Sequence, residues 1–199
     1  MESTQQYEYG SEPIQQFEYG YVENLRLTKL KKGIITIEGL LSGNSGFLLG
    51  ELQLATPPYR FIINSPGGEV SESFAIYDLI REASSPTMPV TVTALGMAAS
   101  AACMIVLQAG DKRFSYPNTI FMLHELSKSR EKSETTTESA DNTREMRRIQ
   151  HQTLSILSKR SGKSVDTIAK LLRRKDLWLS APEAKEWGLI DGIIGEERQ

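Results

Sequence analysis

The chain has 199 residues, of which 39% are hydrophobic and 24% charged, enough apolar content for one globular domain with a sizeable core. A net charge of −2, from 23 basic and 25 acidic residues, gives no general electrostatic reason to bind nucleic acid or an anionic membrane. The single cysteine, Cys103, excludes an intrachain disulfide and lies in an apolar run, as is typical of a buried residue in a reducing compartment. The amino terminus lacks the pattern of a signal peptide, and no apolar run approaches membrane-spanning length. We therefore expect a cytoplasmic protein with no nucleic-acid or membrane partner.

The amino-terminal segment contains a near-duplicate, QQYEYG at residues 5–10 and QQFEYG at residues 15–20. The unit is too short and too polar to build a repeat architecture. We interpret residues 1–24 as a flexible arm, with a small hairpin or a partner contact as alternatives. Residues 25–199 are predicted to form a single domain.

Beyond the arm, strand patterns alternate with helix patterns. The first half predicts strands at 33–41, 60–64 and 89–96 and helices at 45–55 and 69–83. The second half predicts a helix beginning near Ser100, a strand at 119–124, and helices within 142–162, after Ser164 and after Ser180. The last helix has a capping box, Ser180 to Glu183, and a stop at Gly188. This order predicts an α/β domain with helices around a mostly parallel sheet.

Three loops at predicted strand ends carry residues suited to acyl transfer. They contain the glycine pair of NSPGGEV, the serine of GMAASAA (Ser100) and the histidine of FMLHELS (His124). Backbone amides, a nucleophile and a general base are the groups that this reaction requires. The other histidine, His151, lies in a charged helix pattern and is interpreted as solvated, and Cys103 is the weaker nucleophile.

A third residue would have to orient the histidine, and six aspartates are available. Four of them have simpler local explanations. Asp78 lies in the middle of a predicted helix, Asp111 in a turn, Asp141 in a charged polar run and Asp166 in the first turn of a predicted helix. Asp176 and Asp191 remain, and spacing alone prefers Asp176 only weakly.

Four motifs in succession resemble those of the ClpP family, the proteolytic subunit of the Clp protease: INSPGGEV, GMAASAA, PNTIFMLH and DLWLSAPEAKEWGLID. The resemblance implies a ClpP/crotonase-like fold with a protruding helical handle. It also implies a serine endopeptidase with Ser100 as nucleophile, His124 as base and Asp176 as the residue that orients it. The backbone amides of Gly68 and Ala101 would form the oxyanion hole.

The same resemblance implies heptameric rings stacked as a tetradecamer, which would degrade peptides and unfolded proteins inside a chamber. Energy for unfolding would come from a separate AAA+ unfoldase, because the SGKS at residues 161–164 has Leu157 where a Walker motif needs glycine. We expect no cofactor and no metal in this chain. After His124 the family usually has Gln-Pro and a glycine pair, whereas this chain continues ELSKSREKS.

Three other functions compete with this one. The first alternative is a stand-alone relative, such as a viral capsid-maturation protease, which would keep the triad and need no unfoldase. An acyl-CoA enzyme of the crotonase type is disfavoured by the serine and histidine motifs. A non-catalytic ring subunit would lack a triad residue, and none is missing.

Overall fold

The computed structural model describes residues 12–127 and 136–196. It contains an α/β domain with seven strands in one sheet. The strands are β1 (Ile34–Glu38), β2 (Arg60–Ser65), β3 (Thr91–Ala99), β4 (Lys112–Ser115), β5 (Ile120–Leu123), β6 (Leu177–Leu179) and β7 (Gly192–Ile193). The predicted α/β class with a mostly parallel sheet is confirmed.

The sheet divides at β3. Strands run in the order β1-β2-β3-β4-β7, and all pairs along this path are parallel. The first half of β3, Thr91 to Ala94, pairs with β4, whereas its last three residues, Met97 to Ala99, pair with β5. Strand β6 then adds to β5 in antiparallel orientation. The carboxyl ends of β3 and β5 therefore lie side by side.

Six α-helices surround the sheet in the described part of the chain. They are α1 (Glu12–Lys31), α2 (Asn44–Leu54), α3 (Val70–Glu82), α4 (Thr136–Ser161), α5 (Val165–Leu172) and α6 (Ala181–Trp187). The chain after Ser100 forms a π-helical turn, Ala102–Val106, followed by a 3₁₀ turn, Leu107–Ala109. Helix α6 has the predicted capping box from Ser180 to Glu183, and Gly188 ends it in the left-handed conformation.

The core lies around the central strands. Phe61 and Ile63 of β2 are fully buried while Arg60 is exposed, as expected for a strand whose alternate residues face the interior. Every residue of the π-helical turn is buried as well. Because Ala98, Ala101 and Ala102 are small, the backbone of this segment can be approached closely by its neighbours.

The second half of α4 belongs to this core, with Leu154 and Leu157 buried. Its first half is different, because the described side chains from Thr137 to Gln150 are mostly exposed. This exposed half of α4 fits the protruding helical handle that the resemblance implies. Among the described residues no helix combines the length and the apolar character needed to cross a membrane.

Several segments differ from the sequence prediction, and among them β6 and β7 are strands where none was predicted. Strand β4 was not predicted, because its four residues, KRFS, include two charged ones. Helix α4 begins at Thr136, before the predicted 142. Helix α1 includes residues 15–20, the second copy of the duplicate, while the first copy lies outside the described residues. The division into an arm at 1–24 and a domain at 25–199 stays a prediction.

Candidate active site

Ser100 occupies a strained turn between β3 and the π-helical turn. Its φ angle is 52°, in the left-handed region that a residue with a Cβ adopts at a cost of about 1–3 kcal/mol. Three backbone hydrogen bonds hold it there: its N–H donates to the carbonyl of Met122 at 2.8 Å, and its carbonyl accepts from Cys103 and Met104 at 3.0 and 2.8 Å. The fold thus fixes the direction of this side chain from both neighbouring segments.

The hydroxyl of Ser100 contacts His124. The distance from Ser100 Oγ to His124 Nε2 is 2.6 Å, short enough for a direct hydrogen bond and for proton transfer. The pairing of β3 with β5 explains this geometry, because Ala99 lies opposite Met122 and both strands then end. His124 is half-buried, one residue past the end of β5. Two residues separated by 24 positions in the sequence are therefore brought together by one strand pairing.

The glycine pair lies against the serine turn. A Cβ on Gly67 would lie 2.7 Å from Ser100 Cβ and 3.1 Å from the nitrogen of Ala101, so only glycine fits here without displacing the turn. The Ser65 hydroxyl fixes this loop, since it donates to the Gly39 carbonyl at 2.6 Å and accepts from the Gly67 N–H at 3.0 Å.

Gly68 is held from its other side by Leu41. The N–H of Leu41 donates to the Gly67 carbonyl, and the N–H of Glu69 donates to the Leu41 carbonyl, both at 2.8 Å. Gly68 lies between these two bonds in a parallel bridge with Leu41, so its own N–H points away from Leu41. Within the described residues, neither Gly68 nor Ala101 donates its N–H to a backbone carbonyl.

Asp176 lies opposite His124 by strand register. The antiparallel pairing matches Phe121 with Leu179 and Leu123 with Leu177, and one further step matches His124 with Asp176. Residues directly opposite each other in such a pair project to the same face of the sheet. Asp176 is exposed, and among the described residues no hydrogen bond or ion pair joins it to His124. The register thus places the two residues at facing positions one step beyond the ladder, with no hydrogen bond or ion pair between their side chains.

Asp191, the other aspartate that spacing left open, is bound to Arg113. Its carboxylate accepts hydrogen bonds from the backbone N–H, Nε and Nη2 of Arg113 at 2.7, 3.3 and 2.5 Å. The Arg113 side chain is buried and also donates to Gln108 Oε1 and the Gly188 carbonyl. These contacts give Asp191 a structural role that requires nothing of His124.

The remaining candidates lie apart from this chemistry. His151 is exposed on α4, where its nearest described polar contact is Ser155 of the same helix. Burial of Cys103 raises the pKa of its thiol to about 12, so the reactive thiolate is absent near neutral pH.

Comparison with known proteins identifies the family. A family model described as Clp protease matches residues 47–197, which include the serine turn, His124 and Asp176. The chain belongs to the Clp protease family. It is 36% identical over 146 residues to ATP-dependent Clp protease proteolytic subunit 1 of Chlamydia muridarum, covering 72% of this chain and 74% of the relative. A Clp protease proteolytic subunit of Pleurastrum terricola is 37% identical over 137 residues, covering 68% and 66% of the two chains.

Membership of the Clp protease family makes this chain a peptidase. The sequence interpretation of a ClpP-type protein is thereby confirmed at the level of family and fold. Sequence reasoning used the glycine pair only as a source of backbone amides and did not identify Gly67 and Ser65 as the residues that hold the loop against the serine. The signal for Gly67 was present in the PGG turn at the end of β2, but its contact with Ser100 depends on the packing of two loops distant in the sequence.

Proposed function

We propose that this Clp protease family member is a serine endopeptidase with Ser100, His124 and Asp176 as its catalytic residues. The observation that carries the proposal is the 2.6 Å contact between Ser100 Oγ and His124 Nε2 at the ends of two adjacent parallel strands. Loops at the carboxyl ends of parallel strands commonly form the binding sites of α/β proteins.

In the proposed reaction His124 Nε2 accepts the proton of the Ser100 hydroxyl as Oγ attacks the carbonyl carbon of a peptide bond. The tetrahedral intermediate collapses with cleavage of the C–N bond, and the imidazolium gives its proton to the leaving amine. A water molecule, deprotonated by His124, then attacks the acyl-enzyme, and release of the acid restores Ser100. The reaction as proposed uses no metal and no cofactor.

The negative charge of the intermediate would be stabilised by the N–H groups of Gly68 and Ala101. Two observations support this pair: Gly68 directs its N–H away from Leu41, and Gly67 packs against the Ser100–Ala101 peptide. Donors that are already fixed before reaction need no reorganisation when charge develops, which is how such sites contribute most to the rate.

Asp176 is proposed to accept the Nδ1 proton of His124 and so hold the imidazole in the tautomer that presents Nε2 to Ser100. Its support is the strand register, which sets the two residues opposite each other. Because the described Asp176 carboxylate is exposed and not bonded to His124, a local movement of its side chain or turn would complete the triad.

The cellular role proposed is degradation of peptides and unfolded proteins in a cytoplasmic chamber of stacked heptameric rings, with an AAA+ unfoldase as partner. The relatives from Chlamydia are named as subunits of an ATP-dependent protease. Exposed apolar side chains on and before α2 support contact with further subunits, among them Phe47, Leu40 and Leu54, with exposed fractions of 71, 65 and 63%.

A fluorophosphonate probe tests the proposed nucleophile. The purified chain is expected to be labelled once per subunit, and Ser100→Ala is expected to lose both labelling and peptide hydrolysis. Ser158→Ala, in α4, is the matched control and should be labelled at the parental rate. Labelling of Ser100→Ala at the parental rate would refute the assignment. Native mass spectrometry of the same samples distinguishes the ring assembly from a stand-alone protease.

A further inference from the structure

The turn that carries Asp176 is tied to the residue that follows His124. Arg174 donates its backbone N–H to Glu125 Oε2 at 3.0 Å. This bond lies beyond the last ladder pair, Leu123 with Leu177. It therefore extends the link between the two strands past the positions occupied by His124 and Asp176.

The backbone at Arg174 needs such a link. Among the described residues Ser100 and Arg174 are the only non-glycine residues with positive φ, at 52° and 58°. A left-handed arginine is strained, because its Cβ crowds its own backbone, and the conformation persists only where neighbouring contacts hold it. The other described backbone bond in this turn is local, from the Lys175 N–H to the Leu172 carbonyl.

Glu125 is itself fixed by the segment that follows it. The next residue, Leu126, donates its N–H to Gln150 Oε1 of α4 at 2.8 Å. The backbone on the other side of Glu125 is held through His124 by β5. The carboxylate thus projects from a segment anchored at both ends, whereas the turn from Arg173 to Asp176 lies outside regular structure.

From these contacts we propose that Glu125 is a positioning residue for the proposed triad: its carboxylate holds the Arg174 turn so that Asp176 stays opposite His124. Glu125 does not touch the reacting atoms in this proposal and acts through Asp176. The inference rests on the proposed function, since it requires Asp176 to orient His124.

The test compares Glu125→Ala with Glu125→Gln in the full chain, using hydrolysis of a short fluorogenic peptide at matched oligomeric state. Alanine removes the acceptor, whereas glutamine keeps an oxygen that accepts the Arg174 N–H. We expect Glu125→Ala to lower kcat about tenfold with little change in KM, which is about the fold-change that loss of one positioning hydrogen bond can produce. We expect Glu125→Gln to restore most of that loss. Glu186→Ala, an exposed glutamate on α6, is the control and should be unaffected.

A double-mutant cycle tests whether the effect passes through Asp176. If it does, Glu125→Ala should lower the rate of Ser100 labelling in the parental chain and change it little in the Asp176→Asn background. Additive losses, an unchanged kcat in Glu125→Ala, a rise confined to KM, or failure of glutamine to restore activity would each overturn the proposal. If Ser100→Ala retained activity, the proposed function would fail. Loss of activity in Ser100→Ala with a normal Glu125→Ala would remove only the role of Glu125.

Discussion

Asp191 and Arg113 form an ion pair with three hydrogen bonds. The Asp191 carboxylate accepts them from the backbone N–H and from two side-chain nitrogens of Arg113. The arginine side chain is 6% exposed, whereas the aspartate side chain is 40% exposed. Water can therefore solvate the Asp191 carboxylate if the pair breaks, but it cannot solvate the buried Arg113 guanidinium to the same extent. The pair joins β4 to the turn that precedes β7. It therefore helps to hold β7, the edge strand that pairs with β4.

Replacing Asp191 with asparagine is therefore expected to affect stability more than catalysis. The substitution leaves the buried Arg113 without a counter-charge and should lower the free energy of unfolding by roughly 1–3 kcal/mol. Chemical denaturation measures this loss, and the labelling rate of Ser100 on the folded protein should stay normal. A stable Asp191→Asn with a crippled labelling rate would instead assign Asp191 to the triad.

Asp176→Asn is expected to behave in the opposite way. Asp176 is exposed and has no described polar partner to lose, so the free energy of unfolding should change little. Peptide hydrolysis should fall on the order of 10⁴-fold, the effect of the same change in another triad, because asparagine favours the wrong imidazole tautomer. Turnover within a few-fold of the parent at the same oligomeric state would exclude Asp176 from the proposed triad.

The two histidines provide a paired test of the base. His124→Ala is expected to abolish detectable hydrolysis, because Ser100 Oγ loses the only side-chain partner described for it. His151→Ala, exposed on α4, should retain parental kcat/KM. The measurement is peptide hydrolysis, with circular dichroism to establish that both variants are folded. Equal activity in the two variants would contradict the base assignment.

Cys103 should resist modification in the native state. Burial raises the pKa of its thiol to about 12, so both access and thiolate formation are suppressed. Iodoacetamide at pH 8 is expected to leave the folded chain unmodified and to add one group after denaturation, as measured by intact mass. Rapid alkylation without unfolding would show that this segment opens readily.

Asp111 is expected to make stability depend on pH. Burial acts to raise the pKa of its carboxyl, but hydrogen bonds from Arg81, Ser84 and the Val90 N–H outweigh burial and lower it. A carboxyl with a lowered pKa contributes stability above its unfolded pKa, about 3.9, and loses that contribution as the pH falls through the folded value. The Tm difference between the parent and Asp111→Asn should therefore be largest near neutral pH and shrink below about pH 4. A difference that does not change with pH would mean that this carboxyl is not linked to acid unfolding.

Much of the domain could be predicted from local patterns. Helices α2, α3 and α6 and strands β2 and β5 lie within one or two residues of their predicted bounds, and α5 begins directly after Ser164 as predicted, because apolar spacing and end signals coincide there. Strand β4 could not be predicted in this way. Its KRFS sequence has only one apolar residue, and it is a strand because β3 and β7 pair with it on either side.

In the candidate site, too, some residues could be identified from local sequence and others only from tertiary contacts. Ser100 and His124 could be selected because the sequence offers two histidines and a serine in a run of small residues, and the structure brings their side chains into contact. Spacing could prefer Asp176 over Asp191 only weakly, since the ion pair of Asp191 and the strand register of Asp176 are both tertiary relationships. The contact of Glu125 with Arg174 spans 49 positions and leaves no local signal.

The pairing of Ala99 with Met122 has a consequence for how this chain tolerates insertions. The hydrogen-bonded register allows side chains on adjacent strands to shift only in whole-residue steps. A shift of one residue moves a side chain by about 3.3 Å and turns it to the other face of the sheet. One added residue between Met122 and His124 would thus direct the imidazole away from Ser100 while leaving the composition of the site intact. The pairing of Leu123 with Leu177 constrains Asp176 in the same way, because one residue added between Asp176 and Leu177 would turn the Asp176 side chain away from His124. The short stretches that end β5 and begin β6 therefore act as fixed-length spacers, in which residue number is constrained more tightly than residue identity.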